Sequence, residues 1–219
     1  MCGFAGFYST TGQCQENELA AMGRAIAHRG PDDSGVWIDP SASIGMAHQR
    51  LSVIELSKAG AQPMQAKSGR YTLVFNGEIY NHESLRTQYL QNHPWKGRSD
   101  TETLLALVDK LGVSAVPEKL DGMFAFTVWD EKTRQLHLVR DRFGEKPLYF
   151  GSQPGSNTSN SQGDGDQHSG TFFFTSDLRA LLQCSKFKPE INREALALYF
   201  RNLYVCLLYT SDAADDYSV

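Results

Sequence analysis

Several common features of a protein sequence are scarce or missing from this chain, and each absence narrows its function. Hydrophobic residues make up 41% of the 219 positions, yet no run approaches the roughly 18 consecutive apolar residues of a membrane span. An excess of one charge is also lacking. The 25 acidic and 21 basic side chains leave a net charge of -4, which is no electrostatic footprint for nucleic acid. The first residues lack a basic stretch followed by an apolar segment, so no secretory signal and a cytoplasmic location are expected. The four cysteines, Cys2, Cys14, Cys184 and Cys206, are too few and too irregular for a disulfide framework or a paired-cysteine metal site. There is no Gly-x-x-x-x-Gly-Lys phosphate loop. What remains is one large domain or two small ones with room for a core.

What is present begins at Cys2, within Met1-Cys2-Gly3-Phe4-Ala5-Gly6-Phe7. Removal of Met1, which a small following residue permits, would leave a thiol and a free α-amine on one residue. Their reference pKa values, about 8.5 and about 7.7–8.0, allow both to exchange protons near neutrality. A terminal amine is an effective base for such a nucleophile. Taken alone, a lone early cysteine reads better as a small buried hydrophobe.

Residues 2–8 read as a strand. The spacing of Leu19, Met22 and Ile26 predicts a helix over 16–28, stopped by Gly30-Pro31. Short strands are expected at 36–38, 43–47, 51–54 and 71–75, and a hairpin pairs 123–129 with 135–140 around the polar turn 130–133. Two more strands, 147–151 and 171–175, flank a polar loop over 151–170 that is expected to be mobile. Helices are expected at 81–90 with Asn81 as cap, and at 99–111, where Ser99-Asp100-Thr101-Glu102 has the form of a capping box. Two more are expected at 176–183 and 192–203. Strands mixed with helices that do not strictly alternate give an α+β class, best met by two antiparallel sheets with helices outside.

Polar residues concentrate in Ala27-His28-Arg29-Gly30-Pro31-Asp32-Asp33, Ala47-His48-Gln49-Arg50-Leu51-Ser52-Val53, Asn76-Gly77-Glu78-Ile79-Tyr80-Asn81 and Gly97-Arg98-Ser99-Asp100-Thr101-Glu102. Together with Gly122-Met123-Phe124-Ala125-Phe126, the stretch from Arg140 to Tyr149 and Thr175-Ser176-Asp177, their order resembles the class II glutamine amidotransferases. Within that family the chain is most like the N-terminal half of the glutamine-hydrolysing asparagine synthetases. The resemblance runs from Cys2 to about Val205.

The resemblance implies an N-terminal nucleophile fold, a four-layer αββα sandwich that hydrolyses the glutamine side-chain amide and passes on ammonia. By motif position Cys2 would be the nucleophile, forming a γ-glutamyl thioester, with its own α-amine moving the proton. Asn76 and the N–H of Gly77 would form the oxyanion hole, where loss of one donor typically costs about 2.7–4 kcal/mol. L-Glutamine is a zwitterion: Arg50 would clamp its α-carboxylate, and Asp100 with Glu78 would meet its ammonium. Backbone from Leu51 through Ser52, Val53 and Ile54 would line the pocket. No metal and no cofactor are expected in this domain. ATP and Mg would belong only to a synthetase domain, whose Ser-Gly-Gly-x-Asp-Ser loop is absent from the 219 residues. Aspartate is the expected ammonia acceptor; a sugar or peptide acceptor, or an inactive regulatory domain of the same fold, is the alternative. A homodimer of the full-length protein is one assembly left open.

The residues themselves keep other readings in play. Asn76-Gly77 is also a strong hairpin-turn signal, Asp100 suits the first turn of a helix, and Arg50 suits a snorkelling surface position. His28 and His48, with Asp32 and Asp33, could suggest a metal, but the neighbouring Arg29, Gly30 and Pro31 read better as a structural turn. Arg140-Asp141-Arg142 reads as an ion-pair network under the sheet. From Cys206 to Val219 the sequence leaves the family pattern and resembles read-through or a truncated record, so the family domain is expected to end at about 205.

Overall fold

The computed structural model describes residues 2–10, 12, 14–154, 170–189 and 191–203. Residues 1–187 make one compact unit and 188–219 another. The strands are β1 (Gly3–Ser9), β2 (Asp33–Asp39), β3 (Ile44–Arg50), β4 (Met64–Gln65), β5 (Tyr71–Ile79), β6 (Gly122–Asp130), β7 (Gln135–Arg140), β8 (Tyr149–Pro154) and β9 (Gly170–Thr175). They form two antiparallel sheets, ordered β2-β3-β1-β9-β8 and β4-β5-β6-β7.

The period-two alternation of strands divides their side chains among three apolar layers. Phe4, Ile44, Met46 and Phe174 of the first sheet meet Val74, Ala125 and Trp129 of the second between the sheets. The opposite face of the first sheet, with Ala5, Phe7, Ala47 and Phe173, is covered by helix α1 (Glu16–Ala25) and a 3₁₀ turn at Leu178–Gln183. Helices α2 (His82–Tyr89) and α3 (Asp100–Leu111) cover the outer face of the second sheet through Leu85, Leu104, Leu107 and Val108. The order is therefore helix, sheet, sheet, helix. In the second unit, α4 (Arg193–Asn202) starts at Asn192, whose side chain accepts the N–H of Ala195. Among the described residues no helix is long and apolar enough to cross a membrane.

Several expectations need correction. The helix over 16–28 is α-helical only to Ala25 and then tightens into a 3₁₀ turn at Ala27–Arg29. It ends at Gly30, an extended residue where only glycine fits, since a Cβ there would lie about 2.5 Å from the backbone of Gln49 and Arg50. Residues 51–54 form no strand, because the N–H of Leu51 turns to Cys2 Sγ and that of Ser52 to Asp32. Asn81 precedes α2, but its side chain bonds Lys119 O and Asp121 N instead of capping the helix. Ser99 does cap α3 by accepting the N–H of Glu102. The Glu102 carboxylate does not return the bond; it accepts from Lys96 and Gly97.

The Asn76-Gly77 pair lies within β5 rather than in a turn. Among the described residues Arg140-Asp141-Arg142 is held by backbone rather than by an ion pair: Asp141 accepts the N–H groups of Phe124, Phe143, Glu145 and Lys146, and Arg140 donates to Gly144 O and Lys146 O. The loop expected over 151–170 is narrower, since 151–154 pair with 170–173. Its remainder, like the segment 206–219, lies outside the described residues.

Candidate active site

The ladder between β1 and β3 places Gly3 opposite Gln49, and one step further along that register sets Cys2 beside Arg50. The other flank of β1 is fixed by β9. Phe4 N–H donates to Ser176 Oγ at 2.9 Å, and Phe4 O accepts from Ser176 N and Thr175 Oγ1. Cys2 is half-buried, with its thiol 3.6 Å from Leu51 O and 3.4 Å from Leu51 N. Burial pushes the thiol pKa up, against the opposing pull of the Leu51 N–H. A proton acceptor is thus needed to make a thiolate near neutrality.

Cys2 opens into a cavity of about 140 Å³, small beside the pockets that hold drug-sized ligands. Arg50, Asn76, Gly77, Glu78 and Asp100 line it with Cys2. Arg50 is buried, and its guanidinium donates to Ser57 O at 2.9 Å and to Glu55 O. Gly60 makes room for it, because a Cβ there would collide with Nη2. Asp100, buried at the start of α3, accepts the N–H of Ile79 at 3.0 Å and of Thr101 at 2.8 Å. Burial raises its pKa, with those two N–H groups acting in the opposite sense. A cation and an anion therefore face one small cavity, as an amino-acid zwitterion requires.

Strand geometry explains how Asn76 and Gly77 enter the cavity. β4 pairs only with Leu73 and Thr72, so β5 has no neighbouring strand on that edge beyond Leu73. Gly77 stands opposite Phe124 on β6, and Phe124 directs both its N–H and its C=O the other way, to Asp141. Residues facing each other across an antiparallel ladder are either mutually bonded or both turned away. Gly77 therefore points its N–H at the open edge, as do Phe75 and Ile79 two residues to either side. Phe75 N–H is taken by Gln62 Oε1 at 2.7 Å and Ile79 N–H by Asp100. The middle donor, on Gly77, is left facing the cavity. Asn76 is 1% exposed, and neither Oδ1 nor Nδ2 of its amide has a hydrogen-bond partner.

Of the residues expected to line the site, Leu51, Val53 and Ile54 do so. Ser52 does not, because its N–H is turned to Asp32 Oδ2 at 2.7 Å. The two histidines stand apart: His28 is exposed beside Asp177 and Arg179, whereas His48 is fully buried against Phe75 O at 3.1 Å. Burial lowers the His48 pKa to about 4. The cavity also has Gln62, Glu55, Gly60 and Lys146 in its wall, which the sequence reading missed. No residue type marked them; Glu55, Gly60 and Gln62 depend on the path of the loop from Leu51 to Pro63, and Lys146 on the turn after β7 that Asp141 holds.

The family described as the glutamine amidotransferase domain matches residues 1–211. The chain belongs to this family. It is 38% identical over 154 residues to asparagine synthetase [glutamine-hydrolyzing] 2 of Bacillus subtilis, a match covering 68% of the chain and 20% of that relative. It is 37% identical over 161 residues to amidase chry2 of Gibberella zeae, covering 68% of the chain and 24% of the relative. The chain thus spans a quarter or less of the length of these two proteins. Among solved structures, glutamine phosphoribosylpyrophosphate amidotransferase of B. subtilis superposes with a TM-score of 0.62 at 17% identity, over 82% of this chain and 43% of that one. That likeness establishes the N-terminal nucleophile fold. As a glutamine amidotransferase domain of the class II type, the chain matches the N-terminal part of its longer synthetase relatives.

Proposed function

We propose that this domain hydrolyses the side-chain amide of glutamine through a Cys2 thioester and delivers ammonia to an acceptor activated elsewhere in a longer protein, with aspartate as that acceptor. The Cys2 thiolate attacks the amide carbon. The resulting oxyanion takes hydrogen bonds from Asn76 Nδ2 and Gly77 N–H, ammonia leaves with a proton carried by the α-amine of Cys2, and water resolves the γ-glutamyl thioester to glutamate. Arg50 holds the α-carboxylate, and Asp100 with Glu78 holds the ammonium. The nucleophile, base and donors are all the domain's own groups, so no metal or cofactor is assigned to this step; ATP and Mg belong to activation of the acceptor. We take the family domain to extend to about residue 205.

The observation that carries this reading is Asn76, a buried amide with both polar atoms unpartnered beside Cys2. Buried polar groups are almost always satisfied, and a ligand oxygen at this position would satisfy one. A second reading of the acceptor, in which ammonia goes to a sugar or peptide, is kept because the relatives include a protein named as an amidase as well as asparagine synthetases.

The purified chain is expected to release glutamate and ammonia from glutamine. Cys2→Ala is expected to abolish turnover while retaining glutamine binding, and Asp100→Ala to lose binding. Equal turnover by the wild type and Cys2→Ala would overturn the mechanism. The role of the α-amine requires Cys2 to be the first residue of the active protein, so an intact mass retaining Met1 in an active preparation would remove that step.

A further inference from the structure

We propose that Gln62 and His48 are positioning residues for the oxyanion hole, acting through the backbone of Phe75; this inference rests on the function proposed for Asn76 and Gly77. Beyond the Met64 end of β4, which pairs with Leu73, the edge of β5 has no partner strand and runs on into the cavity wall. Its first outward residue, Phe75, has a buried N–H and C=O and no strand to receive them. Two side chains distant in sequence replace that strand. Gln62 Oε1 accepts the N–H at 2.7 Å, and His48 Nε2 donates to the C=O at 3.1 Å.

Both clamping groups are well buried, at 7% and 0% exposure. The Phe75 carbonyl can only accept, so the proton of the neutral imidazole is on Nε2. The next two residues carry the amide and the N–H that share the cavity with Cys2. Ile79 N–H is held in the same way by Asp100, so the segment carrying both donors is pinned on either side. A shift of Phe75 would move the donors relative to Cys2 without touching Arg50 or Asp100. The clamp therefore acts on the developing oxyanion and leaves binding of the zwitterion alone.

The test compares wild type, Gln62→Leu, Gln62→Glu and His48→Leu. It reads kcat and KM for glutamate release, inhibition by the γ-semialdehyde of glutamate, and thermal unfolding. The thiol of Cys2 adds to that aldehyde to give a hemithioacetal, its proton passing to the aldehyde oxygen, which then occupies the oxyanion position. Gln62→Leu and His48→Leu are expected to lower kcat at least about tenfold, a fraction of the 10²–10³ lost when an oxyanion donor is removed. Aldehyde binding should weaken in parallel while KM for glutamine stays within about twofold. Gln62→Glu keeps an acceptor for Phe75 N–H and should recover most of kcat.

Unchanged kcat in a folded Gln62→Leu would overturn the proposal. So would a rise in KM with kcat preserved, which would make Gln62 a substrate contact. If the leucine variants fail to fold, Gln62→Glu beside Gln62→Ala decides: equal kcat in these two would also overturn it. Failure of the parent reading looks different, since the wild type itself would then show no Cys2-dependent glutamate release.

Discussion

At the scale of single residues, Asp100 shows how the site trades intrinsic comfort for ligand charge. A carboxylate buried at the start of α3 is favoured by the N–H groups of Ile79 and Thr101 and by the helix dipole, yet burial still raises its pKa. An incoming ammonium would supply the missing counter-charge. The sign follows directly: below its raised pKa Asp100 is neutral and cannot pair with the ammonium, so KM for glutamine should climb as pH falls. The climb should begin above the usual aspartate value of about 3.9. Asp100→Asn should show a high KM with this limb flattened, measured as KM against pH from about 4 to 8. An identical acid limb in wild type and variant would assign the titration to another group. Glu55 does not compete for this role, since bonds from Ser57 and Arg98 hold its pKa at about 2, below the range of the measurement.

At the scale of elements, the active strand is β5, and Gly77 is its tightest point. A Cβ at Gly77 would collide with Met123 O and lie 2.7 Å from Phe124 Cα on β6. Relief requires the two strands to separate. Gly77→Ala should therefore destabilise the fold by roughly 1–3 kcal/mol, as overpacking does, and should lower kcat by more than stability alone explains, because the displaced N–H is the proposed oxyanion donor. Denaturant unfolding and glutaminase rates on the folded variant check both parts. A stable variant with normal kcat would show that the strand pair tolerates the methyl.

Local signals in the sequence were enough to find most elements. The polar turn 130–133 between the runs 123–129 and 135–140 marked the hairpin of β6 and β7, and Ser99 marked the start of α3. Signals of the same quality misled where tertiary bonds intervened. Asn76-Gly77 has the composition of a turn but is pulled straight by pairing with Ala125 and Phe124, and Asn81 looks like a cap but spends its amide on Lys119 and Asp121. The charged and amide residues of the site were legible from their order along the chain. Gln62, whose importance lies in one N–H on a distant strand, was not.

At the scale of the whole molecule, the site depends on two sheets meeting at a fixed distance, because Cys2 and Arg50 come from one sheet and Asn76 and Gly77 from the other. The layer between them sets that distance, and Phe174 is a fully buried part of it, clustered with Phe4, Met46, Val74 and Trp129. Its ring lies over Gly6, its cross-strand partner on β1, where a Cβ would strike the ring and Gly45 O. Phe174→Ala should cost about 3–5 kcal/mol through lost burial and the cavity left behind. Gly6→Ala should also destabilise, since it drives a methyl into the ring and a carbonyl. The two changes are in contact and should not add: in the double variant the ring is gone, so the methyl partly fills the space and only the clash with Gly45 O persists. Denaturant unfolding of the four proteins in the cycle should give a double variant more stable than the sum of the singles by about 1 kcal/mol or more. Simple additivity would mean that the sheets close over the lost ring by themselves, and the Phe174→Ala protein should then show an altered kcat as Cys2 and Asn76 approach one another.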